Sequence, residues 1–266
     1  MKKLIISRPL HKSEIFVKKR ACVLVLLGIL FFVLINAAFA DVYKPQKTTA
    51  PYPHSPVLYG YQSTAPSYEE ILIILDCSFS MADRLGAETK IQAAKRALNN
   101  VLNQIPSNIR LGLRIYGHKL TFLGIGSCTA SELAVPIGPN NTQQIRNVVN
   151  ALKPVGSTPI IYSIKQAVLY DFSPNAKKRI ILISDGEETC DGDPCKYALT
   201  LVREYKDVKI DVIGFNLNNK NAINQLQCVA LTTKANFYNA NTAAELYNSL
   251  GKTLNVQKEV QGQIMF

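Results

Sequence analysis

The chain has 266 residues, 47% of them hydrophobic and 18% charged, with a formal net charge of +11. This is the make-up of a globular protein, with room for one large domain or two small ones. The charge does not point to nucleic acid: residues 1–40 hold seven basic residues against one acidic, which leaves 23 basic and 18 acidic after them, and no basic stripe with interleaved aromatics follows.

The first forty residues run in the order basic, apolar, small-x-small. Lys2, Lys3, Arg8, Lys12, Lys18, Lys19 and Arg20 precede an apolar stretch from Ala21 to Ile35, and Ala38-Phe39-Ala40 precedes Asp41. That order reads as a secretory signal over residues 1–40, removed after Ala40, and so as an exported protein of the periplasm or the extracellular space. The alternative is an uncleaved membrane anchor, because the apolar stretch approaches the ~20 residues a span requires. A membrane is expected as a partner only in that case. Residues 41–68 hold Pro45, Pro51, Pro53, Pro56 and Pro66 among Thr, Ser and Tyr, and read as a Pro-rich extended linker. Its Tyr43, Tyr52, Tyr59 and Tyr61 are either docking residues or plain linker.

Ile71 to Leu75 is then an unbroken aliphatic run that closes on Asp76-Cys77-Ser78-Phe79-Ser80-Met81. A short run apolar on both faces predicts a buried parallel strand with a site at its carboxyl end. Asp76, Ser78 and Ser80 place three oxygen side chains at alternate positions, a set suited to a hard cation. An aspartate followed by serines at a strand end also serves as a helix cap or a turn, so the motif does not decide the matter alone. Ile91, Ala94, Leu98, Val101, Leu102 and Ile105 predict a helix that ends at Pro106. Ile109, Leu111, Leu113 and Ile115 alternate with Arg110, Gly112, Arg114 and Tyr116, which predicts a strand with one wetter face, nearer an edge. Leu133-Ala134-Val135-Pro136 suits a short edge strand.

A helix marked by Ile145, Val148, Val149 and Leu152 comes next, followed by the turn Gly156-Ser157-Thr158-Pro159 and a helix from Ile160 to Val168. Arg179 to Ser184 is a second aliphatic strand, closing on Asp185-Gly186. A helix near Pro194–Tyr205, a strand Val208–Phe215, a helix near Ala222–Leu231 and a short strand Asn236–Ala240 complete the alternation. The last helix opens with a capping box, Thr242-x-x-Glu245, and repeats Leu246, Leu250 and Leu254. The pattern predicts an α/β fold: a doubly wound, mostly parallel sheet with helices on both faces and one short antiparallel edge strand. Ligands of such sheets bind beyond the carboxyl ends of the strands, at a switch point. The tail, residues 256–266, carries no element.

DxSxS after the first strand, a Thr in a Gly-x-Thr-Pro turn and an Asp-Gly after a later strand together resemble the von Willebrand factor A domain with its metal-ion-dependent adhesion site. The resemblance covers residues 69–255. It implies Asp76, Ser78, Ser80, Thr158 and Asp185 as metal ligands, a divalent cation (Mg²⁺ foremost, with Mn²⁺ or Ca²⁺ as alternatives), and a protein partner whose Glu or Asp completes the coordination. The run Glu188-Thr189-Cys190-Asp191-Gly192-Asp193-Pro194-Cys195 and Tyr116-Gly117-His118 further resemble a secreted bacterial branch. The residues themselves agree on one point: they supply at most five oxygens, whereas Mg²⁺ takes six, so one position stays open.

The reading is of a binding protein and not an enzyme. A phosphatase of the haloacid-dehalogenase type places a second Asp where this chain has Ser78, and neither serine stands in a Gly-x-Ser-x-Gly elbow. An assembly or regulatory subunit that uses the domain as a docking surface is the alternative. His118 is expected to be structural, Cys77 a space-filler, and Glu187, Glu188, Asp191 and Asp193 a solvated acidic rim. Cys128, Cys190, Cys195 and Cys228 are expected to form two disulfides, for which three pairings exist. A Cys128–Cys228 bond would have to cross the sheet, beyond the ~7 Å reach of a bridge. If all four are bonded, that removes the pattern containing Cys190–Cys195; of the two left, Cys128–Cys190 with Cys195–Cys228 is favoured because Cys195 and Cys228 are expected on neighbouring helices of one face.

Overall fold

Five consecutive aliphatic side chains leave a strand no polar face, so the run Ile71–Leu75 is stable only when covered from both sides. The computed structural model, which describes residues 69–120, 127–190 and 192–255, places it at the centre of the sheet. In chain order the strands are β1 (Glu69–Asp76), β2 (Arg84–Leu85), β3 (Glu88–Thr89), β4 (Arg110–Tyr116), β5 (Ser131–Gly138), β6 (Lys177–Ser184), β7 (Val208–Phe215) and β8 (Phe237–Ala240). The helices are α1 (Lys90–Leu102), α2 (Thr142–Ala151), α3 (Ile160–Gln166), α4 (Pro194–Glu204), α5 (Lys220–Thr232) and α6 (Ala243–Thr253). The expected signal (1–40), linker (41–68) with its tyrosines, and tail (256–266) lie outside the described residues.

The main sheet has the order β5-β4-β1-β6-β7-β8. All neighbours are parallel except β5, which pairs antiparallel with β4 at the edge. Successive side chains of β1 leave on opposite faces. Ile71, Ile73 and Leu75 pack with Ile91, Leu98, Ile145, Val149, Leu246 and Leu250, so α1, α2 and α6 cover one face. Leu72 and Ile74 pack with Ile160, Ile164, Ala198, Leu201, Leu226 and Val229, so α3, α4 and α5 cover the other. Leu72, Ile73, Ile74 and Leu75 are wholly inaccessible, and each contributes about 1.5–3 kcal/mol of burial.

The chain leaves β1 for β4 on one side and later reaches β6 on the other. The carboxyl ends of β1 and β6 therefore flank the point where the strand order reverses, the crevice in which such sheets bind ligands.

Two expectations are corrected. β4 has no wetter face: from Leu111 to Tyr116 every residue is buried. Alternation misled because Arg114 is neutralised inside the protein by Asp171, and Tyr116 is an amphipathic residue that is here fully enclosed. The edge strand is also longer than Leu133–Pro136, spanning eight residues, although its Pro136 is exposed as an edge position requires. The hairpin of β2 and β3 went unforeseen, because two-residue strands carry no periodicity.

Candidate metal centre

Past Asp76 the chain is stitched to two other segments. Cys77 donates its N–H to Tyr116 O at 2.9 Å, and Phe79 donates to Gly156 O at 2.9 Å, beside a parallel bridge between Ser78 and Gly156. Gly156 N–H in turn donates to Gly117 O at 2.7 Å. Gly117 has a φ of +71°, and a Cβ there would stand 2.5 Å from Ser78 N. Only glycine permits both that conformation and that approach. Ser78 then caps a 3₁₀ turn, Phe79–Ala82, whose Met81 is buried beneath it while Phe79 is 70% exposed between the two serines.

Four of the five candidate side chains meet above this scaffold. Asp76 is fully buried; its Oδ1 accepts from Ser78 N–H at 2.7 Å and its Oδ2 from Ser184 Oγ at 2.7 Å. Ser78 Oγ lies 3.1 Å from Ser80 Oγ, and Ser80 Oγ donates to Asp185 Oδ1 at 2.8 Å. Asp185 Oδ2 accepts from Lys90 Nζ at 2.8 Å. Asp76, Ser78, Ser80 and Asp185 thus form one hydrogen-bonded chain. Thr158 joins through its turn: Gly156 ties it to the Ser78 loop, and its N–H donates to Thr189 Oγ1 at 2.9 Å on the loop after β6.

Two participants escaped the sequence reading. Ser184 had a signal, a small hydroxyl closing an aliphatic run, but stood in the shadow of the Asp beside it. Lys90 had none, since a lysine at the head of a helix is ordinarily solvated.

Burial, and secondarily the charge of Asp185, raises the Asp76 carboxyl to about 6. Burial first and Asp76 second push the Cys77 thiol up to about 12, so it is a neutral filler and a poor ligand. The buried Tyr116 hydroxyl is held well above the ordinary phenol value by burial first and the charge of Asp76 second, against the opposite pull of Ser184. It makes no well-formed hydrogen bond among the described residues.

This set fits a hard divalent ion. Its donors are all oxygens, two of them neighbouring carboxylates whose charge a cation would offset. Among the described residues no group of three or more His, Cys, Asp and Glu is placed to hold a metal. An ion here must therefore use the hydroxyls.

The acidic loop is more than a solvated rim. Glu188 accepts from Ile161 N–H and Cys190 N–H, each at 2.7 Å, and Asp193 caps α4 through Cys195 N–H at 2.8 Å. Glu187 accepts from Asn221 Nδ2 at 3.2 Å, and Asp191 lies outside the described residues. A charge run in sequence does not show which carboxylates are folding back onto free amides of helix ends. His118 pairs with Glu132 through Nε2 at 3.0 Å, a structural contact, and burial lowers its pKa.

Cys128 is joined to Cys190, Cα to Cα 5.4 Å, and Cys195 to Cys228 at 5.3 Å, the pairs favoured from the sequence. The first bond fastens the segment before β5 to the loop that follows Asp185. The second fastens α4 to α5.

Residues 71–188 match the family described as von Willebrand factor type A domain. The uncharacterised protein YwmD of Bacillus subtilis (strain 168) is 30% identical over 181 residues, which cover 66% of this chain and 80% of its own. The pilus adhesin SpaC of Lactobacillus rhamnosus GG shares the fold at a TM-score of 0.55 and 15% identity, over 71% of this chain and 30% of the adhesin. Proximal thread matrix protein 1 of the mussel byssus, solved with a zinc-occupied MIDAS motif, does so at 0.54 and 17%, over 71% of this chain and 48% of its own.

Proposed function

Because the chain belongs to the von Willebrand factor type A domain family, we propose that it is an exported protein that binds a protein partner through a divalent cation. Asp76, Ser78, Ser80, Thr158 and Asp185 would hold the ion, Mg²⁺ foremost. The bound ion supplies a positive centre with an open coordination position. A Glu or Asp of the partner fills that position.

The observation that carries this reading is the way the two sheet-end carboxylates are held. Asp76 and Asp185 are buried; Asp76 is held by the Ser78 backbone N–H and the Ser184 hydroxyl and Asp185 by the Ser80 hydroxyl, and hydroxyls can turn a lone pair to an ion as readily as donate a proton. The reading is supported by the shared fold of the mussel protein, solved with zinc in its MIDAS motif, and of the pilus adhesin. Binding is favoured over catalysis because both Asp76 oxygens are engaged from within and position 78 carries a serine where a phosphatase of this sheet needs an acid. Phe79, exposed between the serines, offers the partner an apolar contact beside the ion.

The test uses the purified protein as bait for envelope extract of its source, with Mg²⁺ or with chelator. Capture should require the ion and should be lost in Ser80→Ala and Thr158→Ala while their folds persist. Capture indifferent to chelator and to both substitutions would establish the docking-surface alternative instead.

A further inference from the structure

Lys90 is the first residue of α1, where the positive end of the helix disfavours a cation. It is nevertheless buried, 7% exposed, with its ammonium 2.8 Å from Asp185 Oδ2 and 3.7 Å from Asp83 Oδ2. The other Asp185 oxygen accepts from Ser80. One carboxylate is thereby shared between a fixed positive charge and a hydroxyl of the ion site.

We propose that Lys90 is a built-in counter-cation of the metal centre, which weakens the grip on the ion and strengthens the attraction of the loaded centre for an anionic guest. The proposal rests on the metal-site reading above. The Asp83 side chain is 62% exposed, where water screens its charge; among the buried groups Asp76 and Asp185 with Lys90 sum to one negative charge, so a divalent ion leaves that buried set net positive. Without Lys90 the same ion leaves it neutral. An ammonium held in a poorly solvated site repels the ion more than it would in water, and the same charge draws in a carboxylate. Lys90 also holds Asp185 with Oδ1 turned to Ser80. A lysine that did only this would, on removal, leave the carboxylate loose and the ion more weakly bound, which is the opposite outcome.

Mn²⁺ is titrated calorimetrically into the wild-type protein, Lys90→Met and Lys90→Arg, with circular dichroism to verify the fold; Lys90→Gln replaces the Met variant if that fails to fold. The neutral variant should bind Mn²⁺ at least about tenfold tighter than wild type and Lys90→Arg within about threefold of it, because only the former removes the charge. Acetate added to the Mn²⁺-loaded protein, followed by water-proton relaxation, should bind the neutral variant more weakly. Equal or looser Mn²⁺ binding by the neutral variant overturns the role of Lys90 and leaves the metal site standing. Mn²⁺ binding by the neutral variant alone supports the proposal in its strongest form. No Mn²⁺ binding by any of the proteins overturns the metal-site reading, and the role of Lys90 with it.

Discussion

The two ends of the sheet bury carboxylates in contrasting ways. At the amino end and along one flank each is clasped by an arginine. Glu70 takes Arg110 on Oε1 at 3.0 and 3.1 Å and Ser173 N–H on Oε2 at 2.8 Å. Asp211 takes Arg179 at 2.8 Å and both nitrogens of Asn236 at 3.0 Å, and Asp171 receives a two-pronged Arg114 at 2.7 Å twice. At the carboxyl end the partners of Asp76 and Asp185 among the described residues are serines, one amide and one lysine, with no arginine. An arginine fork fills a carboxylate with donors that cannot reverse, whereas a serine hydroxyl can exchange donating for accepting. The first arrangement locks a fold. The second suits the cation proposed for this end.

The contrast can be broken from either end. The largest effect is expected from Arg114→Ala, which strands the buried Asp171 and should cost about 3–5 kcal/mol in urea unfolding. Asp76→Asn should do no such damage: in chelator its melting temperature should equal or exceed that of the wild type, since it removes a buried like charge, while the stabilisation by Mg²⁺ or Mn²⁺ disappears. A loss of stability in chelator as large as that of Arg114→Ala would erase the distinction between the two ends.

Replacing Cys128 and Cys190 together by serine should cost about 2–4 kcal/mol by chain-entropy reasoning. The same replacement at Cys195 and Cys228 should cost a similar amount. Only the first pair borders the loop after Asp185, so only its removal should also weaken ion binding, read as a smaller metal-induced shift in melting temperature.

An effect of pH comes last. Asp76 titrates near 6 in the fold against an ordinary 3.8, so its folded value is raised. Its contribution to stability is then fully present below about 3.8 and is lost as pH rises through about 6. The chelated wild type should melt progressively lower across that window, relative to Asp76→Asn measured alongside. Parallel profiles would show that the buried carboxyl is not the group responsible.

Much of this was legible in the residues. Central strands announced themselves because Ile71–Leu75 and Ile180–Ile183 are apolar without interruption, and Asp76, Ser78, Ser80 and Asp185 fell at the strand ends where the fold links them by hydrogen bonds, with Thr158 tied in only through its backbone. What stayed hidden depends on partners distant in sequence. Arg114 read as a wet-face residue because its neutralisation by Asp171 lies 57 positions away. Lys90 is 95 positions from the carboxylate it meets. Glu188 and Asp193 looked like solvated charges because capping is a property of where a helix begins in space. The β2–β3 hairpin is too short to show any period.

Cys77 has a consequence for how the molecule matures. Under the proposed export, four cysteines find their partners in an oxidising compartment, and the Cys77 thiol is a competitor for mixed disulfides on the way. Once the central strand is in place, Cys77 is sealed beneath the Ser78 loop as the one free cysteine among the described residues. With its thiol near 12, its reactive thiolate is on the order of one part in 10⁵ at neutral pH, because the thiolate is the attacking species. Assembly of the sheet thus acts as a proofreading step for oxidation. A chain that closes its bonds before β1 is seated can err through Cys77, and one that seats β1 first cannot.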